Sequence, residues 1–99
     1  MYDNVSYNNG DHGIDDVTVS DVRILSNRIY HNVTAGINYE GSSSNGTIAN
    51  NICVDNGIGS PRTHSDIRVE HGSTTGTTVD YNQVYLTTPD VLLIWNSVN

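Results

Sequence analysis

Ninety-nine residues allow one domain, and a hydrophobic share of 35% without a single Phe leaves little side chain for a thick core. Eleven acids against four arginines and no lysine give a formal charge of -7, which argues against a nucleic-acid partner, since that needs clustered cations. A charged fraction of 15% is too low for charge-driven disorder, and no run reaches the roughly 18 to 20 apolar residues that span a bilayer.

The chain opens "MYDNVSYNNG", with neither the basic region nor the apolar core of a signal peptide. Asn4 is the first of four anchors; Asn27, Asn51 and Asn82 follow at intervals of 23, 24 and 31 residues. Three positions before them stand Met1, Ile24, Ile48 and Val79, and two positions after stand Ser6, Ile29, Cys53 and Val84. Five positions after come Asn9, Asn32, Asn56 and Thr87. A period of about 24 in Asn, Gly, Ser, Thr, Val and Ile predicts a coiled solenoid of strands, because Gly and Asn interrupt too often for helices.

Each coil is expected to hold three short strands, seen most clearly at Val22 to Leu25, Arg28 to Tyr30 and Gly36 to Glu40. The anchor Asn falls between the first two of these. It is expected to take the left-handed turn conformation and to bond its amide to the Asn one coil away. "GI" recurs at Gly13-Ile14 and Gly36-Ile37. His31 and Asp55 each follow an anchor by four positions, and two such ligands are too few for zinc, so a turn hydrogen bond is expected. Cys53, the lone cysteine, can form no intramolecular disulfide and reads as a small buried side chain.

"INYEGSSSNGTI" (37 to 48) matches "IRVEHGSTTGTTV" (67 to 79) with one extra residue. Ile37 to Ile67 is 30 positions, so about six residues are inserted within "GIGSPRTHS" (57 to 65). A long turn on a rigid scaffold is expected to carry sites, here Arg62 and His64, with Asp66 just beyond. In the last apolar run, "VLLIW" (91 to 95), alternation predicts Leu92 and Ile94 inward and Val91, Leu93 and Trp95 outward.

"ILSNRIYHNVTAGI" and "IANNICVDNGI" resemble the right-handed parallel β-helix repeat family, typified by pectate-lyase-like polysaccharide lyases and related carbohydrate-active proteins. The resemblance implies an all-β, short right-handed parallel β-helix of about four coils, a single domain over 1–99 or a fragment of a longer solenoid. It also implies an extracellular setting.

Stacked coils turn positions into columns. Tyr7, Tyr30, Val54 and Tyr85 form an outward stripe, which serves as a sugar platform, a subunit interface or a stabilising spine. On the strand of each coil that corresponds to Gly36 to Glu40, where the family keeps its clefts, the outward columns are expected to be Asp15, Asn38, Arg68, Leu93 and Val17, Glu40, Glu70, Trp95. Asn38, Glu40 and Glu70 offer oxygen ligands to calcium, and the resemblance implies calcium there with Arg68 or His64 as a lyase base. The same charges also make a plain surface ion network.

The expected binding residues are Arg62, Asp66, Tyr30 and Trp95. The leading reading is a carbohydrate-associated binding or assembly module. A calcium-dependent polysaccharide lyase and an inactive structural fragment are the alternatives. Open coil ends, or the Tyr stripe, predict self-association into a homo-oligomer; polysaccharide is the other expected partner.

Overall fold

The computed structural model describes residues 1–99 and contains no helix. Its eleven short strands are β1 (Val5–Tyr7), β2 (Ile14–Val17), β3 (Arg23–Leu25), β4 (Arg28–Tyr30), β5 (Ile37–Glu40), β6 (Thr47–Ala49), β7 (Ile52–Val54), β8 (Ile67–Val69), β9 (Thr78–Asp80), β10 (Gln83–Tyr85) and β11 (Leu93–Trp95). They form three sheets, ordered β1-β4-β7-β10, β11-β8-β5-β2 and β3-β6-β9, and every strand pairing within them is parallel. From β2 onward the chain visits the sheets in a fixed order, so β2-β3-β4, β5-β6-β7 and β8-β9-β10 are three successive circuits.

The register follows the period read from the sequence. Ser6, Ile29, Cys53 and Val84 lie in one row, and Ile24, Ile48 and Val79 in another. Ile37 pairs with Ile67 and Ile48 with Val79, so the single extra residue lies between β8 and β9. These rows point inward. Ile14, Ile24, Ile29, Ile37, Tyr39, Ile48, Cys53, Ile67 and Val69 make one buried cluster. Burial pushes the Cys53 thiol far above its ordinary pKa, so it stays protonated and inert.

Asparagine supplies what a thin apolar core cannot. Asn4 Nδ2 donates to Asn27 Oδ1 at 3.0 Å, Asn27 Nδ2 to Asn51 Oδ1 at 2.9 Å, and Asn51 Nδ2 to Asn82 Oδ1 at 2.9 Å. The same oxygens accept the backbone N–H of the preceding rung, so each buried amide satisfies a turn that no strand pairing reaches. A second ladder runs from Asn9 to Asn32 to Asn56. The "GI" recurrences belong to it: a Cβ on Gly36 would lie 2.8 Å from the Asn56 amide, so only glycine lets the chain pass this close.

Three expectations are corrected. The left-handed backbone falls on the residue before each anchor, on Asp3, Ser26, Asn50 and Tyr81, while the anchors themselves are not at positive φ. The fourth rung of the second ladder is Asp66, not Thr87: Asn56 Nδ2 donates to Asp66 Oδ1 at 2.8 Å, and Tyr85 N to Oδ2 at 2.9 Å. Finally, the last circuit is shifted by one. Leu93 pairs with Ile67, Ile94 with Arg68 and Trp95 with Val69. Leu93 and Trp95 therefore continue inward rows, exposed because no strand pairs beyond β11, and Ile94 joins the outward row.

Candidate functional site

The outer face of the β11-β8-β5-β2 sheet gathers a group of charged side chains. Asp15, Asn38, Arg68 and Ile94 share its central outward row, one per circuit. Arg68 Nη1 donates to Asn38 Oδ1 at 2.7 Å and to Glu40 Oε2 at 2.9 Å, and Arg68 Nη2 lies 3.9 Å from Glu70 Oε1. Glu70 Oε2 in turn accepts the Gly41 N–H at 2.7 Å. The sequence thus placed Asn38, Glu40, Glu70 and Arg68 together correctly. The guanidinium sits on oxygens that a calcium ion would use, so the ion and Arg68 would compete for them.

The inserted turn forms one wall of this face. Arg62 Nη2 reaches across to Asp11 Oδ1 at 2.7 Å, and His64 Nδ1 lies 3.2 Å from the Arg62 carbonyl. The Thr34 hydroxyl, with His12 and Arg62 beside it, holds the Asp11 carboxyl below its ordinary pKa. Between the turn and the sheet lies an open groove of about 340 Å³ lined by Arg62, Thr63, His64, Arg68, Ile94 and two C-terminal residues, Ser97 and Asn99. Two of the four arginines and one of the four histidines meet there.

Asp66, expected among the binding residues, is fully buried and spends both oxygens on the ladder and the Tyr85 backbone. Burial raises its pKa although three N–H donors pull the other way. Its role is structural. Tyr30 belongs to a different face: its ring stacks on Tyr7 with centroids 4.9 Å apart and planes 6° from parallel. The next residue of that column is Val54, and the gap beside it is a hollow of about 360 Å³ lined by Arg28, Tyr30, His31, Ile52 and Val54. His31 Nε2 lies 3.7 Å from Asp55 Oδ2, beyond the reach of the expected turn hydrogen bond. Trp95 lies at the outer strand of the charged sheet but on its inward row, away from the groove residues.

Sequence reasoning did not place His12. Its side chain is only 8% exposed, lies beside Thr34, Asn38 and Thr63, and sits in the middle of the charged face. The available signal was its position three residues before Asp15, across the glycine turn that starts β2. No family model, curated protein or solved structure matches this chain, and none identifies a pectate-lyase-like family.

Proposed function

We propose that the chain is a right-handed parallel β-helix that binds carbohydrate, gripping an acidic sugar in the groove between the inserted turn and the sheet. One observation carries this reading: in a chain of charge -7, Arg62, His64 and Arg68 converge on a single groove. Guanidinium groups pair with carboxylates in a planar, two-bond geometry that suits a uronate.

Titration calorimetry with an oligouronate and a neutral oligosaccharide of equal length tests it. The oligouronate is expected to bind, with affinity falling about tenfold in Arg68→Gln and falling with salt. Equal affinity for the neutral sugar, or none for either, removes the reading. New ultraviolet absorbance from unsaturated products, dependent on calcium, would move the assignment to the lyase class.

The assembly half of this reading rests on an uncovered end. Ile67, Val79, Val84 and Leu93 line an open hollow of about 180 Å³ beyond the last circuit. Self-association there would cover apolar side chains and strand edges together. Light scattering is expected to give a mass above 10.8 kDa that falls in Val84→Glu.

A further inference from the structure

Beside the groove, His12, Asp15 and Glu40 bring one ligand atom each within 4.8 Å of the others. Their surroundings are ordered as those of metal ligands are. The Thr34 hydroxyl has a single proton, and it goes to Asp11 Oδ1 at 2.8 Å, because an ionised carboxylate only accepts. Thr34 Oγ1 must then accept from His12 Nδ1, 2.8 Å away. That places a proton on Nδ1 and, in the neutral ring, leaves the Nε2 lone pair free.

The lone pair has only long donors. Asn38 Nδ2 is 3.4 Å away, Thr63 Oγ1 is also at 3.4 Å, and Asp11 Oδ1, another acceptor, is at 3.5 Å. A nitrogen lone pair among carboxylates calls for a cation. The two carboxylates are each held by an outer partner: Asp15 Oδ1 accepts from Asn38 Nδ2 at 2.8 Å, and Glu40 Oε2 accepts from Arg68 Nη1 at 2.9 Å. Each then has its second oxygen left for an ion. His12 and Asp15 thus carry the kind of neutral second partner that orients metal ligands, while Glu40 gives one oxygen to Arg68 and keeps the other for the ion.

We propose that His12 Nε2, Asp15 and Glu40 bind a first-row divalent cation, best matched by zinc, with a remaining position open to water. Imidazole with carboxylates suits zinc better than calcium, which takes oxygen ligands alone. A tetrahedral zinc with ligands at about 2.1 Å spaces them about 3.4 Å apart, so side-chain rotation of about 1.4 Å per pair at most closes the site. Asp15 is exposed, which gives the ion its entry. The zinc site does not need a sugar to form, although Arg68 borders both it and the groove.

The experiment is calorimetric titration of zinc into the chelator-stripped full chain at neutral pH, repeated on Asp15→Asn and His12→Gln. One site per chain with micromolar affinity, weakened about tenfold or more in both variants, is the expected result. If His12→Gln loses the wild-type far-UV spectrum, Asp15→Asn decides alone, since it is exposed and its oxygen can still accept from Asn38. No heat at about 1 mM zinc would mean that the Asn38 and Thr63 contacts suffice for Nε2, and would overturn the proposal. Binding unchanged by the variants would place the ion on His31, His64 or His71 and overturn it equally.

Discussion

The outer faces of two sheets built from the same repeat differ sharply. On the β1-β4-β7-β10 sheet, neighbouring circuits repeat one chemistry: Tyr7 stacks on Tyr30, and Val54 and Tyr85 continue the column. On the β11-β8-β5-β2 sheet the column changes at every step, from Asp15 to Asn38 to Arg68 to Ile94. Identical backbones one circuit apart favour like-with-like contacts, so a repeated column strengthens the stack. A column that departs from repetition keeps the backbone pairing while assembling unlike groups, as binding and metal coordination require. The asparagine ladders lie at the first extreme and the His12–Arg68 region at the second.

The largest effect is expected where repetition is strictest. Asn51 is fully buried; Oδ1 accepts from Asn27 N and Nδ2, and Nδ2 donates to Asn82 Oδ1 and the Ile24 carbonyl. Asn51→Ala removes four hydrogen bonds and strips the buried Asn27 N–H of its acceptor, while Asn27 Nδ2 keeps the Met1 carbonyl and Asn82 Oδ1 keeps the backbone N–H of residue 51, so it should destabilise by about 2 to 3 kcal/mol in urea denaturation. A loss below about 1 kcal/mol would mean that water replaces the rung, and the ladder would not be the element that sets the register.

Asp16 is where the pattern is broken at a cost. It shares the inward row with Tyr39, its Oδ2 is buried without a hydrogen-bond partner, and burial followed by the Asp15 charge raises its pKa. Asp16→Asn removes the charge and is expected to stabilise by about 1 kcal/mol at pH 7. The sign with pH follows from the raised folded pKa. As pH falls through it, the folded wild type takes up a proton before the unfolded chain does and gains stability. The advantage of Asp16→Asn should therefore shrink on acidification and be gone below the ordinary aspartate value of 3.8. Melting curves across that range check it, and an advantage constant with pH would contradict it.

A smaller loss is expected on the repeated tyrosine face. Tyr30→Ala removes the stack with Tyr7 and should cost about 1 kcal/mol without altering zinc or oligouronate affinity, since no tyrosine lines either site. A change in ligand affinity would show the two faces to be coupled.

What could be read from the sequence divides along the same line. The anchors, the three strands per circuit and the single extra residue after β8 were legible because each satisfies a backbone demand that recurs every circuit. Asp66 was not, because the insertion brings an acid from ten residues downstream onto the rung that period counting gives to Thr87. The shift at β11 was missed for a related reason: in a run of five apolar residues, alternation has no polar partner to fix its phase. The Asn38–Glu40–Arg68–Glu70 group could be found from columns alone. His12 could not, since it joins that group from a turn, where strand pairing assigns no column.

The smallest effect on stability is expected from the largest excision. Gly57 and His64 already lie side by side, for a Cβ on Gly57 would come within 2.8 Å of His64 Cα. Consecutive Cα atoms are about 3.8 Å apart, so joining 57 to 64 needs little movement. The removed segment gives up the Gly59 N–H bond to Asp90 and the Arg62 pair with Asp11, both exposed and worth little. The structural bonds remain: Gly57 N to the Asn32 carbonyl, Gly36 N to the Ser65 carbonyl, and the Asp66 rung. Deleting residues 58–63 should therefore shift stability by less than about 1 kcal/mol while removing Arg62 and Thr63 from the groove, so oligouronate affinity falls and zinc affinity holds. If melting collapses instead, the inserted turn is part of the core, and the division between a repeating scaffold and a non-repeating site fails at the place where it should be cleanest.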